Sequence, residues 1–200
     1  MNIGISINEV LRDFLGQLLY TYDKYIEKTD IKETEITSLN LTEFLKFESV
    51  DECNRFLYLE APLEIFGHAD LKFDGVMAHF NNLLMDIKDE EEHQIILVGK
   101  EINKSIPSTF FFLSKTGCRA EKINFVQNAI NEWDNVDLLI TANPDALQNK
   151  PNGKISVKVK APYNENVSAD YEIDSILDFI KDQNLRDKII NSKITTYEEI

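Results

Sequence analysis

Two short, almost purely apolar runs, Gln94-Ile95-Ile96-Leu97-Val98 and Val136-Asp137-Leu138-Leu139-Ile140, constrain this chain more than any other feature. A strand with one wet face alternates apolar and polar residues. A run without that alternation needs cover on both faces, as inside a parallel sheet. The surrounding sequence alternates in the same sense, with strand-like stretches at 93–98, 122–126 and 136–141 and helix-like stretches near 107–115 and at 129–133. Alternating β and α units predict an α/β domain whose parallel sheet is covered by helices.

The start of the chain repeats the pattern. Residues 2–7 are β-rich, and Leu11, Phe14, Leu18, Tyr22 and Tyr25 then recur at three- and four-residue steps, which predicts an amphipathic helix over 9–28. Residues 30–92 are less regular. They hold a polar opening, a compact segment at 58–70, and a helical pattern (Val76, Phe80, Leu83, Leu84, Ile87) that ends in the acidic run Asp89-Glu90-Glu91-Glu92. This part reads as a helical insertion.

Ser105 is placed to cap a helix beginning near Pro107, Gly117 to end it in a left-handed turn, and Pro144 to start a short helix. Residues 154–160 alternate as Lys-Ile-Ser-Val-Lys-Val-Lys, which predicts an edge strand with one face in the core. A connector at 161–170 leads to an expected helix at 171–181, carried by Ile173, Ile176, Leu177 and Ile180. That helix is expected to dock on the domain, and residues 191–200 are expected to be mobile.

Charge and composition exclude some functions. Lys and Arg number 21 against 35 Asp and Glu, a net charge of -14, which argues against duplex DNA or RNA as a partner. No stretch of eighteen apolar residues and no basic-then-apolar leader is visible, so no membrane role is expected and a cytosolic pool is. Cys53 and Cys118 lack metal-ligand spacing and read as free thiols.

The segment Ser6-Ile7-Asn8-Glu9-Val10-Leu11, following the first strand, resembles the opening of the haloacid-dehalogenase superfamily, whose pattern there is Asp-x-Asp-Gly-Val/Thr-Leu. Gln94 to Gly99 resembles the second family strand. Residues 137–144, Asp-Leu-Leu-Ile-Thr-Ala-Asn-Pro, are similar to the DxLIDDNP segment of nucleotidase-like members. Leu63 to Ala69, LEIFGHA, resembles part of the helical insertion in a bacteriophage branch that includes crAss-like phage proteins. The resemblance implies a three-layer, Rossmann-like fold with a mainly parallel sheet over residues 1–160, a helical cap inserted at 30–92, and a C-terminal linker and helical tail at 161–200.

The family's chemistry needs a first Asp to attack phosphorus, a second to move a proton, and a magnesium ion to neutralise the phosphate. Against that pattern, Ser6 stands at the nucleophile position and Asn8 at the acid/base position. Gly99 stands where a phosphate-binding Ser or Thr belongs, and Thr141 and Ala142 replace the paired metal-holding acids. The approach to the fourth strand, 128–135, lacks the phosphate-contacting lysine; Lys115 and Lys122 lie further upstream. Ser6 would need an adjacent base, and the sequence offers none. The expectation is therefore an inactive site with no metal and no cofactor.

Ordinary structural roles are expected for the other polar residues. Asn8 would cap the first helix. Glu9, Asp13 and Asp145 could form a substitute acidic site, but acids in a first helical turn more commonly oppose the helix dipole. His68, His79 and His93 read as packing or surface residues, Trp133 and Phe110 to Phe112 as core or interface aromatics, and the acidic run as a solvated end suited to basic partner surfaces.

The resemblance thus implies a pseudoenzyme used as a structural or assembly protein, most concretely a phage virion component of the tail or neck, assembled in the host cytoplasm as a homo- or hetero-oligomer with other virion proteins. The rival is a magnesium-dependent phosphatase or 5′-nucleotidase of phage nucleotide metabolism, which requires two carboxylates converging at the ends of the first and fourth strands. A third reading is a binding protein that keeps a nucleotide pocket without turnover.

Overall fold

The computed structural model describes residues 1–89 and 93–192; residues 90–92 and 193–200 lie outside the described part. Most of the expected acidic run and of the expected mobile end therefore falls there.

Six strands, β1 (Asn2–Ser6), β2 (Gln94–Gly99), β3 (Ile123–Phe125), β4 (Leu138–Thr141), β5 (Ile155–Val159) and β6 (Tyr171–Ile173), form one sheet in the order β3-β2-β1-β4-β5-β6. Every pairing is parallel, with Ile5 opposite Leu97 on one side and Ile140 on the other. The two apolar runs are β2 and β4, next to β1 in the middle of the sheet. Alternate residues feed two clusters: Ile3, Ile5, Ile95, Leu97, Leu138 and Ile140 enter a large core, while Val98 and Leu139 enter a smaller one around Trp133 and Ala146.

The helices are α1 (Phe14–Tyr25), α2 (Val50–Arg55), α3 (Val76–Asp89), α4 (Ser105–Lys115), α5 (Pro144–Gln148), α6 (Ile176–Lys181) and α7 (Gln183–Asn191). α3 packs on β2 and on α6. The C-terminal helices dock on the domain, as expected, with Ile176, Phe179 and Ile189 fully buried. The stretch between α1 and α3 is built from 3-10 turns (Glu33–Glu35, Leu41–Glu43), α2, and two π-helical turns (Phe56–Glu60, Leu63–Gly67). It covers the carboxyl edge of the sheet near β1.

Several local expectations are corrected. α1 begins at Phe14 because residues 7–13 close a tight loop first, with the N–H groups of Leu11 and Arg12 both donating to Ile7 O. β5 is an interior strand, buried on both faces; its Lys158 is buried against Glu172 and the Val167 carbonyl. The edge belongs to β6, which takes the first residues of the expected 171–181 helix and leaves α6 to begin at Ile176. Alternation alone cannot separate an exposed face from one whose lysines find buried partners.

Ser105 does not cap α4; its hydroxyl bonds Ile102 instead. The stretch 129–133 is a 3-10 turn. Gly117 ends α4 at φ 71°, and Pro144 opens α5 behind a capping Asn143, both as expected.

Candidate functional site

In open parallel sheets ligands sit beyond the carboxyl ends of the strands, where the strand order reverses. Here that point lies between β1 and β4, and a 190 Å³ cavity opens there. Ser6, Val98 and Thr141 from the strand ends, Lys100 and Asn143 just beyond them, and Glu132 from the 129–133 turn form its floor. Phe14, Leu41, Leu57, Tyr58 and Phe66 wall it from the cap side, and Tyr163 closes it next to β5.

Apart from the apolar Val98 and the exposed Lys100, the floor is polar and largely buried. Glu132, 3% exposed, accepts hydrogen bonds from Ser6 Oγ at 3.0 Å and Thr141 Oγ1 at 3.3 Å on one oxygen, and from Asn143 Nδ2 at 2.5 Å on the other. Burial pushes the Glu132 carboxyl above its usual range, against the lowering effect of those bonds. Burial also lifts the Tyr163 hydroxyl well above its ordinary value, reinforced by Glu9, Glu132 and Glu33, so it stays neutral. Tyr58 is raised in the same way to about 12.

Of the positions singled out in the sequence, Ser6, Asn8, Glu9 and Thr141 line the cavity, whereas Gly99 and Ala142 do not. Ser6 and Thr141 meet at Glu132, which stands in the segment where the resemblance calls for a lysine. The expectation that Ser6 lacks an adjacent base is corrected: Glu132 is its hydrogen-bond partner. Ala142 is buried, and its carbonyl accepts from Asn164. A Cβ at Gly99 would come within 2.1 Å of Glu101 Oε2. A Ser or Thr at that position would have to displace the Glu101 carboxylate.

Asn8 is not a helix cap; its Oδ1 accepts from Arg12 Nε at 2.8 Å. Arg12 is fully buried and also pairs with Glu101, donates to Thr109 Oγ1 and Phe66 O, and lies 5.0 Å from the Phe66 ring centroid. The LEIFGHA segment thus serves as packing around a buried arginine. Glu9, at φ 61° where the family pattern has Gly, caps α1 by accepting from the Leu15 N–H at 2.8 Å.

An acidic cluster exists, with different members from those expected. Glu9, Asp13 and Glu33 converge and Asp145 is not among them. Lys72 Nζ sits between the three, 2.8 Å from Glu9, 2.7 Å from Asp13 and 2.9 Å from Glu33. Burial alone would lower the Lys72 ammonium, but the three carboxylates outweigh it and hold the group above the usual lysine range. Burial pushes Glu9 up, with Lys72 opposing. An ammonium occupies the centre where a cation would otherwise sit.

Lys115 and Lys122 do not line the cavity. Lys115 bonds the Ala69 carbonyl, and Lys122 bonds Gln94 at the opposite end of β2. His68 lies 5.4 Å, centroid to centroid, from Phe111, and no histidine belongs to a metal-ligating group among the described residues. Cys53 and Cys118 are free thiols, and Cys53 lines the cavity wall. The decisive residues that sequence reasoning missed are Glu132, Lys72, Arg12 and Glu101. Asn143 stood inside the 137–144 motif without a role assigned to it.

The sheet order, the covered carboxyl edge and the helices on both faces define a parallel, Rossmann-like α/β fold. Two solved structures share it. One, described as a haloacid dehalogenase-like hydrolase from Bacteroides fragilis, aligns with a TM-score of 0.56 and 13% identity over 88% of this chain and 97% of that one. The other, described as a dehalogenase, aligns with a TM-score of 0.51 and 7% identity over 89% of this chain and 94% of that one. At such identities the likeness is one of fold. No family model and no curated protein sequence matches the chain.

Proposed function

We propose that this protein is a haloacid-dehalogenase-fold pseudoenzyme, without phosphoryl-transfer chemistry, that works as a structural or assembly subunit. The observation that carries this reading is the buried Glu132 bonded to Ser6, Thr141 and Asn143. Phosphoryl transfer at this edge needs an attacking carboxylate, a metal and positive charge around the phosphate. The floor supplies neutral side chains at the attack and metal positions and a carboxylate, Glu132, in the segment where the resemblance calls for a lysine, while the lining cation Lys100 stands exposed at the edge. In the nearby acidic cluster Lys72 Nζ occupies the centre between Glu9, Asp13 and Glu33, where a magnesium ion would have to be coordinated.

An assembly role draws support from the surface. Phe110 and Phe111 on α4 are about half exposed, as is Leu63, and Leu63 and Phe111 both border Gly67. Adjacent exposed apolar side chains of this kind mark contact surfaces. The likeness of Leu63–Ala69 and the strand motifs to a phage branch makes a virion component of the tail or neck the concrete version. The test is a pair of measurements: magnesium-dependent phosphate release from p-nitrophenyl phosphate and nucleoside 5′-monophosphates, expected at background, and copy number in purified particles, expected fixed. Turnover of a phosphomonoester reverses the reading.

A second reading, a working hydrolase of the same fold, is favoured by one contact. The Ser6 hydroxyl donates to Glu132 at 3.0 Å, which gives the serine a carboxylate neighbour. The phosphate-release assay separates the two, and loss of any activity in Ser6→Ala would assign it to this pair.

A further inference from the structure

Among the described residues the buried carboxylates come with cations, with one exception. Glu9 is paired with Lys72 and Glu101 with Arg12, whereas Glu132 meets only the neutral donors Ser6, Thr141 and Asn143 and has no ion pair among the described residues. Buried charges are ordinarily paired, because removing an ion from water is costly unless an opposite charge meets it. Glu9 and Glu132 both border the 190 Å³ cavity, and of these two only Glu132 is without a paired cation.

Two carboxylate oxygens offer about four acceptor positions, and the hydrogen bonds to Glu132 take three of them, leaving one on Oε1. Ser6 Oγ donates to Glu132 and keeps its own acceptor capacity. Lys100, exposed at the cavity edge, attracts Glu132 at a distance but makes no ion pair with it. Opposite this floor stand Phe14, Leu41, Leu57, Tyr58 and Phe66 from α1 and the cap. An acceptor-rich anionic floor under an apolar, aromatic wall matches a ligand with one cationic end and a short apolar body.

We propose that the cavity binds a small primary amine, its ammonium against Glu132 and Ser6 and its hydrocarbon part against the cap residues. A divalent metal fits less well, because magnesium demands several oxygen ligands in octahedral array and here one carboxylate is already largely engaged. An ammonium needs up to three acceptors and no fixed geometry. The inference rests on the reading that phosphate is not this site's ligand.

The test titrates the full chain with benzylamine, butylamine, benzyl alcohol and benzyl phosphate, followed by amide NMR shifts. Saturable binding of an amine is expected, with shifts centred on Ser6, Thr141 and Asn143, and benzyl alcohol at least about tenfold weaker than benzylamine. Glu132→Gln, which keeps the size and can keep the hydrogen bonds, should weaken amine binding at least about tenfold. Lys100→Gln, which removes a like charge at the edge, should tighten it.

Benzyl phosphate binding more tightly than benzylamine, unchanged amine binding in folded Glu132→Gln, or no saturable binding of either amine up to about 20 mM would each overturn the proposal. Magnesium-dependent phosphate release from the same preparation would refute the proposed function as well. Absence of both turnover and amine binding would sink only this inference.

Discussion

The loop that follows β1 and the floor of the cavity lie at the same edge of the sheet, and both bury glutamates. In and around the loop each buried carboxylate, Glu9 of the loop and Glu101 packed on it, is met by a full positive charge. Arg12 joins Glu101 to Asn8, Thr109 and Phe66, and Lys72 joins Glu9, Asp13 and Glu33. On the cavity floor Glu132 has neutral donors alone. The first arrangement fixes the backbone of a tight loop and clamps the cap to the core. The second leaves charge facing a space. Buried ionic groups therefore serve two purposes here, and the presence or absence of an internal partner separates them.

That contrast can be broken by removing one member at a time. Arg12→Met should have the largest effect, about 3–5 kcal/mol of unfolding free energy, because it strands Glu101 in the interior. Denaturant titration measures it, and a loss under about 1 kcal/mol would mean that the pair is not structural.

Lys72→Met should cost about 2–4 kcal/mol by leaving Glu9, Asp13 and Glu33 facing one another. Calcium or magnesium should recover part of that loss, since hard cations take carboxylate oxygens. Melting temperatures with and without the ion, against an unresponsive parent, decide this.

Ser6→Ala removes one of the donors to Glu132 and should cost about 1 kcal/mol. Glu132→Gln should run the other way, a gain below about 1 kcal/mol at neutral pH, because it deletes a buried charge that has no cation. The sign with pH follows from burial, which raises the folded-state pKa of Glu132 above the reference value of 4.5. As pH falls the folded chain takes up the proton before the unfolded chain does, so the charge's destabilising contribution is full above the folded pKa and lost below the unfolded one. The gain from Glu132→Gln should therefore be largest at neutral pH and fade toward about pH 4. An equal gain at both ends would separate the effect from ionisation.

The sheet was legible because its signal is local. Two apolar runs and their spacing revealed β2 and β4, and α3, α5 and the glycine end of α4 followed from periodicity and capping residues. Elements whose form depends on distant partners were not legible. β5 resembled an edge strand because nothing in its alternation shows that Lys158 meets Glu172 and a carbonyl. α1 started late because residues 7–13 are held by segment 70–72, whose Asp70 carbonyl accepts from the Asp13 N–H and whose Lys72 N–H donates to the Leu11 carbonyl.

The site divided along the same line. That Ser6, Asn8, Thr141 and Ala142 are not acids and that position 99 is Gly could be read directly. What surrounds them could not, since Glu132 reaches Ser6 across 126 residues of sequence and Arg12 reaches Glu101 across 89.

The two borders of the sheet, β3 and β6, are strands of only three residues each. Borders so short present few open peptide groups, which discourages another chain from adding a strand. Any assembly of this protein should therefore join subunits through side chains on helix and cap surfaces, leaving each sheet a closed unit, and neighbours should separate without unravelling one another.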